Sequence, residues 1–510
     1  MPGASSRPTT YRPLLLSDGA HASAERWPRR AAVLCEGACL TYGELSSRIR
    51  RVAGALSRLD LQKGDRIALL APNCIEYPEI VCGASDAGLI TATLSARSTP
   101  AEIAAACDDC GARLLIAHES LAEAAHAARA ATVERVLLIG DEYEAWLASA
   151  LPCGPHPDLE ETDPFTLVYS SGTTGQPKGI LISHRSRVLT FHGMAMEYGC
   201  YGPDDFQLGI APLAHGAGFA FIMATLYTGG TVDVLPKFDP ALVVEKLATA
   251  PYTGVFMVPT HFHAIFALET AFLDRHRGRT TALRTIMSNA AALPQATKEK
   301  IVGYWGDGRL HETYGSTEAG IVTNLRPGDQ LTRKQSVGHP FGPTRVRLLD
   351  DQGAEVKDGE VGELYSISPY LFNGYFGKSD ETAAAMRDGW VSAGDLARRD
   401  ADGYLYIVDR RKDMVVTGGI NVYPREIEEV LHRHPAVKEA AVIGVPDDRW
   451  GEALVAYVAV HAGSNVAPHE LDQHCRRTLS GYKVPKAFHY TDALPRNAGG
   501  KVLKTKLRAL

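Results

Sequence analysis

The residues best suited to chemistry lie in one run, Tyr169-Ser170-Ser171-Gly172-Thr173-Thr174-Gly175-Gln176-Pro177-Lys178-Gly179. Three glycines and four Ser/Thr hydroxyls between two short apolar runs make a loop able to wrap phosphate oxygens. Glycine lets successive backbone N–H groups converge on an anion, and the hydroxyls add donors. Lys178 supplies the compensating charge. The pattern is not the P-loop of ATPases, which needs Gly-Lys followed by Ser or Thr; here Pro177 precedes the lysine and Gly179 follows it. Taken alone, such a loop reads equally well as a solvated turn.

Further groups follow in order. His215 precedes Gly216-Ala217-Gly218, small residues that leave room beside an imidazole, although a lone histidine is more often packed or solvated. Ser288-Asn289-Ala290-Ala291 closes the apolar run Ile286-Met287, and small side chains at a strand end let a flat ligand approach backbone. His311-Glu312-Thr313-Tyr314-Gly315-Ser316-Thr317-Glu318 combines a ring face, a hydroxyl and a hard carboxylate suited to Mg2+. Asp395, in Ala393-Gly394-Asp395-Leu396, offers two acceptor oxygens to a diol. Beyond the charged run Asp409-Arg410-Arg411-Lys412-Asp413 come the paired Gly418-Gly419 and, near the end, Lys501 on a glycine-rich turn. Cys107 and Cys110 form a lone CxxC without a second pair or nearby histidines, which reads as helix packing rather than zinc.

Together and in this order, from about residue 25 onward, these motifs resemble the signatures of the adenylate-forming enzymes. That superfamily holds acyl-CoA synthetases, luciferases and the adenylation domains of peptide synthetases. The layout is most similar to a free-standing acyl-CoA ligase. The resemblance implies two half-reactions: a carboxylate attacks ATP to give acyl-AMP and pyrophosphate, then a thiol displaces AMP. It implies ATP, Mg2+ and coenzyme A, the last as acceptor substrate. It assigns catalysis to Lys501, Thr173, Glu318 and His215, with Glu318 on the metal. Ser170, Ser171, Gly172, Thr173, Thr174, Gly175, Lys178 and Thr317 would meet the phosphates. Ser288, Asn289, Ala290, Ala291 and Tyr314 would frame the adenine, Glu312, Thr313 and Gly315 would belong to the same ATP/AMP site, and Asp395 and Arg410 would meet the ribose. The acyl pocket would be His215, Gly216, Ala217, Thr260, Gly315 and Ile321. Gly418, Gly419, Trp450, Tyr482 and Lys486 would meet coenzyme A, and Lys412 would be the hinge.

Two departures stand out: Val484 lies where some related ligases carry arginine, and Thr93-Leu94-Ser95-Ala96-Arg97 where many read Pro-Leu-Asn-Pro. The pocket segments show no obvious Arg or Lys for a second carboxylate. That points to an apolar monocarboxylic acid (aromatic, alicyclic or medium-chain) rather than a dicarboxylate. The alternative is an adenylating enzyme that loads a separate carrier protein or hands acyl-AMP to a partner enzyme.

Several elements must position these groups. The 510 residues exceed one core. Thr41-Tyr42-Gly43-Glu44 is a capping box, followed by Leu45, Ile49, Val52 and Leu56 on one helical face. Arg66-Ile67-Ala68-Leu69-Leu70 reads as a strand, and residues 99–110 as a helix closed by Gly111. Helices alternating with short apolar strands predict an α/β fold. The resemblance sharpens this to a large N-terminal domain, residues 1–411, of αβα-layered sheets plus a small β-barrel. A mobile, small α+β C-terminal domain, residues 412–510, would complete it. A net charge of −6 gives no footprint for nucleic acid. No apolar stretch approaches a membrane span, and the nine scattered cysteines fit a reducing, cytoplasmic setting. A homodimer is compatible with this reading.

Overall fold

A computed structural model describes residues 11–170, 178–280, 282–461, 463–496 and 502–508. Two large sheets form the bulk of the protein. The first has nine strands, running from His339–Pro340 through Gly320–Leu325, Leu310–Ser316, Thr285–Ser288, Gly254–Met257, Phe206–Gly209, Thr231–Val234 and Ala31–Cys35 to Ala38–Thr41. The second has seven: Gly374–Tyr375, Lys178–Ser183, Pro164–Ser170, Ile90–Leu94, Arg66–Leu70, Leu114–His118 and Arg135–Ile139. Neighbouring strands run parallel from Leu310–Ser316 to Ala31–Cys35 in the first sheet and from Pro164–Ser170 to Arg135–Ile139 in the second. Such strands are covered on both faces and read as continuous apolar runs, as Ile67 to Leu70 does.

Helices cover both faces of the sheets. Tyr42–Leu56 opens on the expected capping box, with Thr41 and Glu44 bonding reciprocally. Its Leu45, Ile49, Val52 and Leu56 are all buried. Pro100–Cys110 starts on Thr99 and stops at Gly111, whose φ of 65° suits glycine. Cys107 and Cys110 are buried in that helix, as packing predicts. Helices His184–Tyr198 and Gly216–Thr228 pack on each other in the main core.

A curled antiparallel sheet (Arg345–Leu349, Gly362–Ile367, Met386–Arg387, Trp390–Arg399 and Leu405–Arg410) stands where the small barrel is expected. The C-terminal unit has its own five-stranded sheet and its own core, built around Val415, Ile427, Leu431, Val442 and Leu471. Among the described residues no helix is long and apolar enough to cross a membrane.

Candidate active site

The strands that flank residues 171–177 pair with each other. Strands Pro164–Ser170 and Lys178–Ser183 are antiparallel, with Ser170 opposite Lys178. The connecting residues Ser171, Gly172, Thr173, Thr174 and Gly175 lie outside the described residues, as does the side chain of Ser170. Tyr169 ties the strand end to the helix Pro100–Cys110 through Ala106 O at 2.9 Å and Asp109 at 2.8 Å.

Tyr375, which sequence reading missed, organises the other side. Its strand pairs with Lys178–Ser183. Its hydroxyl donates to Glu318 Oε1 at 2.9 Å, and its ring centre lies 4.9 Å from Lys178 Nζ. Phe372 N–H donates to the Glu318 carbonyl at 2.9 Å, so one segment holds both the backbone and the side chain of Glu318. The second Glu318 oxygen makes no side-chain bond among the described residues, and a carboxylate so placed suits Mg2+, which takes one or two protein oxygens plus substrate phosphates.

Glu318 sits in the turn between strands Leu310–Ser316 and Gly320–Leu325. Gly315 is obligatory there, because a Cβ would come within 2.0 Å of the Gly320 carbonyl. From the same strand Tyr314 donates to Asp395 Oδ2 at 2.6 Å, while Arg410 Nε lies 3.3 Å from Asp395 Oδ1. Asp395 is opposite Arg410 in the ladder. Tyr314 and Arg410, far apart in sequence, therefore share one carboxylate. Lys412 follows in the short helical turn Arg411–Asp413 and is exposed.

The proposed adenine wall is braced from behind. Ser288 ends its strand fully buried, and Asn289 Nδ2 donates to Thr313 Oγ1 at 2.8 Å. Ala290 adopts a φ of 77°, unusual for a residue with a Cβ, and Ala291 is exposed. Glu312 does not face outward. It is buried against Lys298, itself 1% exposed, and accepts the Leu293 N–H at 3.0 Å. Its place is that of a brace for the 289–293 turn.

His215 occupies the N-cap position of the helix Gly216–Thr228 without a side-chain cap bond. Its pKa is lowered by burial and then by the Arg97 charge, which keeps the ring neutral near pH 7. Asn73, also missed from sequence, clamps this segment: it donates to Ala211 O and accepts from Leu213 N–H. Gly216 faces Thr317, Ala217 is half-buried, Ile321 is buried and Thr260 is exposed.

In the C-terminal unit Gly418 and Gly419 make a turn with φ of 57° and 78°. Gly418 N–H donates to Trp450 O at 2.8 Å, and its α-carbon lies against the indole. Trp450 and Tyr482 are exposed, and Lys486 Nζ lies 5.8 Å from the Trp450 ring centre. Val484 is 1% exposed and belongs to the core of this unit, which accounts for an apolar residue there. Lys501 lies outside the described residues.

The family model for AMP-binding enzymes matches residues 20–376, and that for the AMP-binding enzyme C-terminal domain matches 426–501. The chain belongs to the AMP-binding enzyme family. It is 37% identical over 487 residues to a feruloyl-CoA synthase of an Amycolatopsis species, covering 94% of this chain and 96% of that one. It is 33% identical to a fatty acid–acyl-carrier-protein ligase of Streptomyces coeruleorubidus, with 95% and 94% covered. The solved anthranilate CoA ligase in complex with anthranoyl-AMP superposes with a TM-score of 0.90 at 27% identity, covering 98% of each chain. This AMP-binding enzyme is an acid–thiol ligase, with ATP, Mg2+ and coenzyme A as its co-substrates and metal.

Proposed function

We propose that this AMP-binding enzyme activates a carboxylic acid with an apolar aromatic, alicyclic or medium-chain body as acyl-AMP and transfers the acyl group to the coenzyme A thiol. The observation that carries the reading is that Lys178, Tyr375 and Glu318 meet just beyond the end of the strand Leu310–Ser316, the strand from which Tyr314 reaches Asp395 and its partner Arg410. The first group suits a polyphosphate and the second a ribose diol.

An anionic acid must approach a polyanion. Lys178 and a divalent ion on Glu318 would neutralise the departing pyrophosphate. Lys501 would stand between the acid and the α-phosphate, where charge builds up in the transition state. Preorganised donors and cations of this kind each contribute roughly 10²–10³ in rate. A carboxylate is already ionised at pH 7, so the first step needs no general base. His215, kept neutral, would position the acid rather than move a proton. The second step would use Gly418 and Gly419, after rotation about Lys412, to admit the thiol.

The experiment combines purified protein, ATP, Mg2+ and a panel of fatty, aromatic and alicyclic acids, with and without coenzyme A. Mass spectrometry follows acyl-AMP and acyl-CoA separately. Thioester formed only with coenzyme A supports the ligase, and Lys501→Ala is expected to abolish acyl-AMP formation. Acyl-AMP that persists despite coenzyme A favours transfer to a carrier protein, in keeping with the carrier-protein ligase among the relatives.

A further inference from the structure

Helix His184–Tyr198 carries two buried donors that find no acceptor. His184 Nδ1 accepts the Leu16 N–H at 3.1 Å, which leaves its ring proton on Nε2, and Nε2 is buried without a partner. Three residues on, Arg187 is 9% exposed, and its Nε is likewise buried and unpartnered. Among the described residues no carboxylate pairs with this guanidinium, and burial alone lowers its pKa to about 10. Positions three apart share a helix face. Their surroundings coincide as well. The Phe165 ring is 5.4 Å from His184 and 5.9 Å from Phe219, and the Arg187 guanidinium is 5.9 Å from the Phe219 ring centre.

Buried polar groups are nearly always satisfied, and a buried charge without a partner is among the costliest groups a fold can carry. A leucine at 187 would fill the same apolar surroundings at lower cost. Two orphan donors side by side therefore call for a ligand acceptor. Phe219 stands one turn into the helix that begins at Gly216, and Gly216 faces Thr317. One helical turn is about 5 Å. With the 5.9 Å from Phe219 to the guanidinium, the path from the Gly216 end of that helix to Arg187 is on the order of 10 Å.

We propose that Arg187, with the His184 Nε2–H beside it, determines specificity for the far end of the acid. The substrate class is an elongated, largely apolar acid whose distal end carries an oxygen acceptor: a hydroxyl, a carbonyl or a second carboxylate. This rests on the acid-activating reading above and revises the expectation of a monocarboxylic acid, since Arg187 is a cation that the pocket segments of the sequence did not include. An acid with a bare hydrocarbon end leaves both donors unsatisfied and is discriminated against, because a site built to hydrogen-bond a group rejects the analogue that lacks it.

The test measures pyrophosphate release by the full-length enzyme with matched acids. Octanoic acid is compared with its omega-hydroxy and omega-carboxy derivatives, and cinnamic acid with its para-hydroxy derivative. The acceptor-bearing member of at least one series is expected to lead in kcat/KM by roughly 10–100-fold. Arg187→Leu is expected to erase that lead while the melting temperature stays level or rises, and Arg187→Lys to keep part of it. Equal use of every matched pair by the wild type overturns the assignment, even where a variant fails to fold. So does an Arg187→Leu protein that melts lower yet keeps the preference, since that is the behaviour of a structural arginine. Release with no acid at all overturns the acid-activating reading and this inference with it; release without preference overturns this inference alone.

Discussion

Tyr375 links two groups that would otherwise act separately. Its hydroxyl holds Glu318 at 2.9 Å and its ring stands 4.9 Å from the Lys178 ammonium, so one side chain orients the carboxylate and the cation that the proposed function assigns to the polyphosphate. Burial first, and then the Glu318 charge, raise the pKa of its phenol well above the normal range, so it acts as a donor at working pH. Tyr375→Phe removes the bond and keeps the ring. The KM for MgATP is expected to rise several-fold and kcat to fall about 10-fold, with the KM for the acid little changed, as for a lost hydrogen bond to a charged group. Steady-state pyrophosphate release at varied Mg2+ checks this. Parallel loss in every parameter would mean that the tyrosine merely supports the fold. Sequence reading passed over Tyr375 because 57 positions separate it from Glu318.

The glycine turn and the 289–293 turn show how an element prepares a site. A Cβ added at Gly419 would meet nothing within 4 Å, yet the φ of 78° already disfavours a larger residue. In this arrangement a side chain there points into open space. If, as proposed, the turn swings to face the acyl site for the second step, Gly419→Leu is expected to leave acyl-AMP formation within about 2-fold while slowing the thioester step by at least about 10-fold. Single-turnover assays of each half-reaction decide; equal loss in both would refute the division of labour. The 289–293 turn depends on Glu312 and Lys298, a buried pair whose members are 14 residues apart. The motif placed Glu312 near the nucleotide, but only the packing of the helix Gln295–Trp305 on the strand Leu310–Ser316 turned it inward.

At the scale of the whole molecule, acid sensitivity follows from buried imidazoles. His261 and His311 are each held neutral by burial, with pKa values lowered to about 4. In the unfolded chain a histidine titrates near pH 6.5, so the folded state binds fewer protons between these values. Their contribution to stability is full above about pH 6.5 and is lost as the pH falls toward 4, at about 1.4 kcal/mol per pH unit for each group. Melting temperatures recorded across this window are expected to fall with pH, and His261→Phe to make the fall shallower. An unchanged slope would show that the ring titrates normally.

The sequence by itself determined the family, the order of the motifs and many element boundaries. Those are local properties: a capping box at Thr41, a left-handed stop at Gly111, a glycine where Tyr314 must be followed by a close strand crossing. Tertiary structure alone decided which distant groups meet. Tyr375 reaches Glu318, Asn73 clamps the His215 segment, Tyr314 and Arg410 share Asp395, and Arg187 stays buried without a counter-charge. The physical reason is that hydrogen bonds and ion pairs act over about 3–4 Å in space, whatever the separation along the chain. A motif names the chemistry; the packing of helices on the sheets selects its partners.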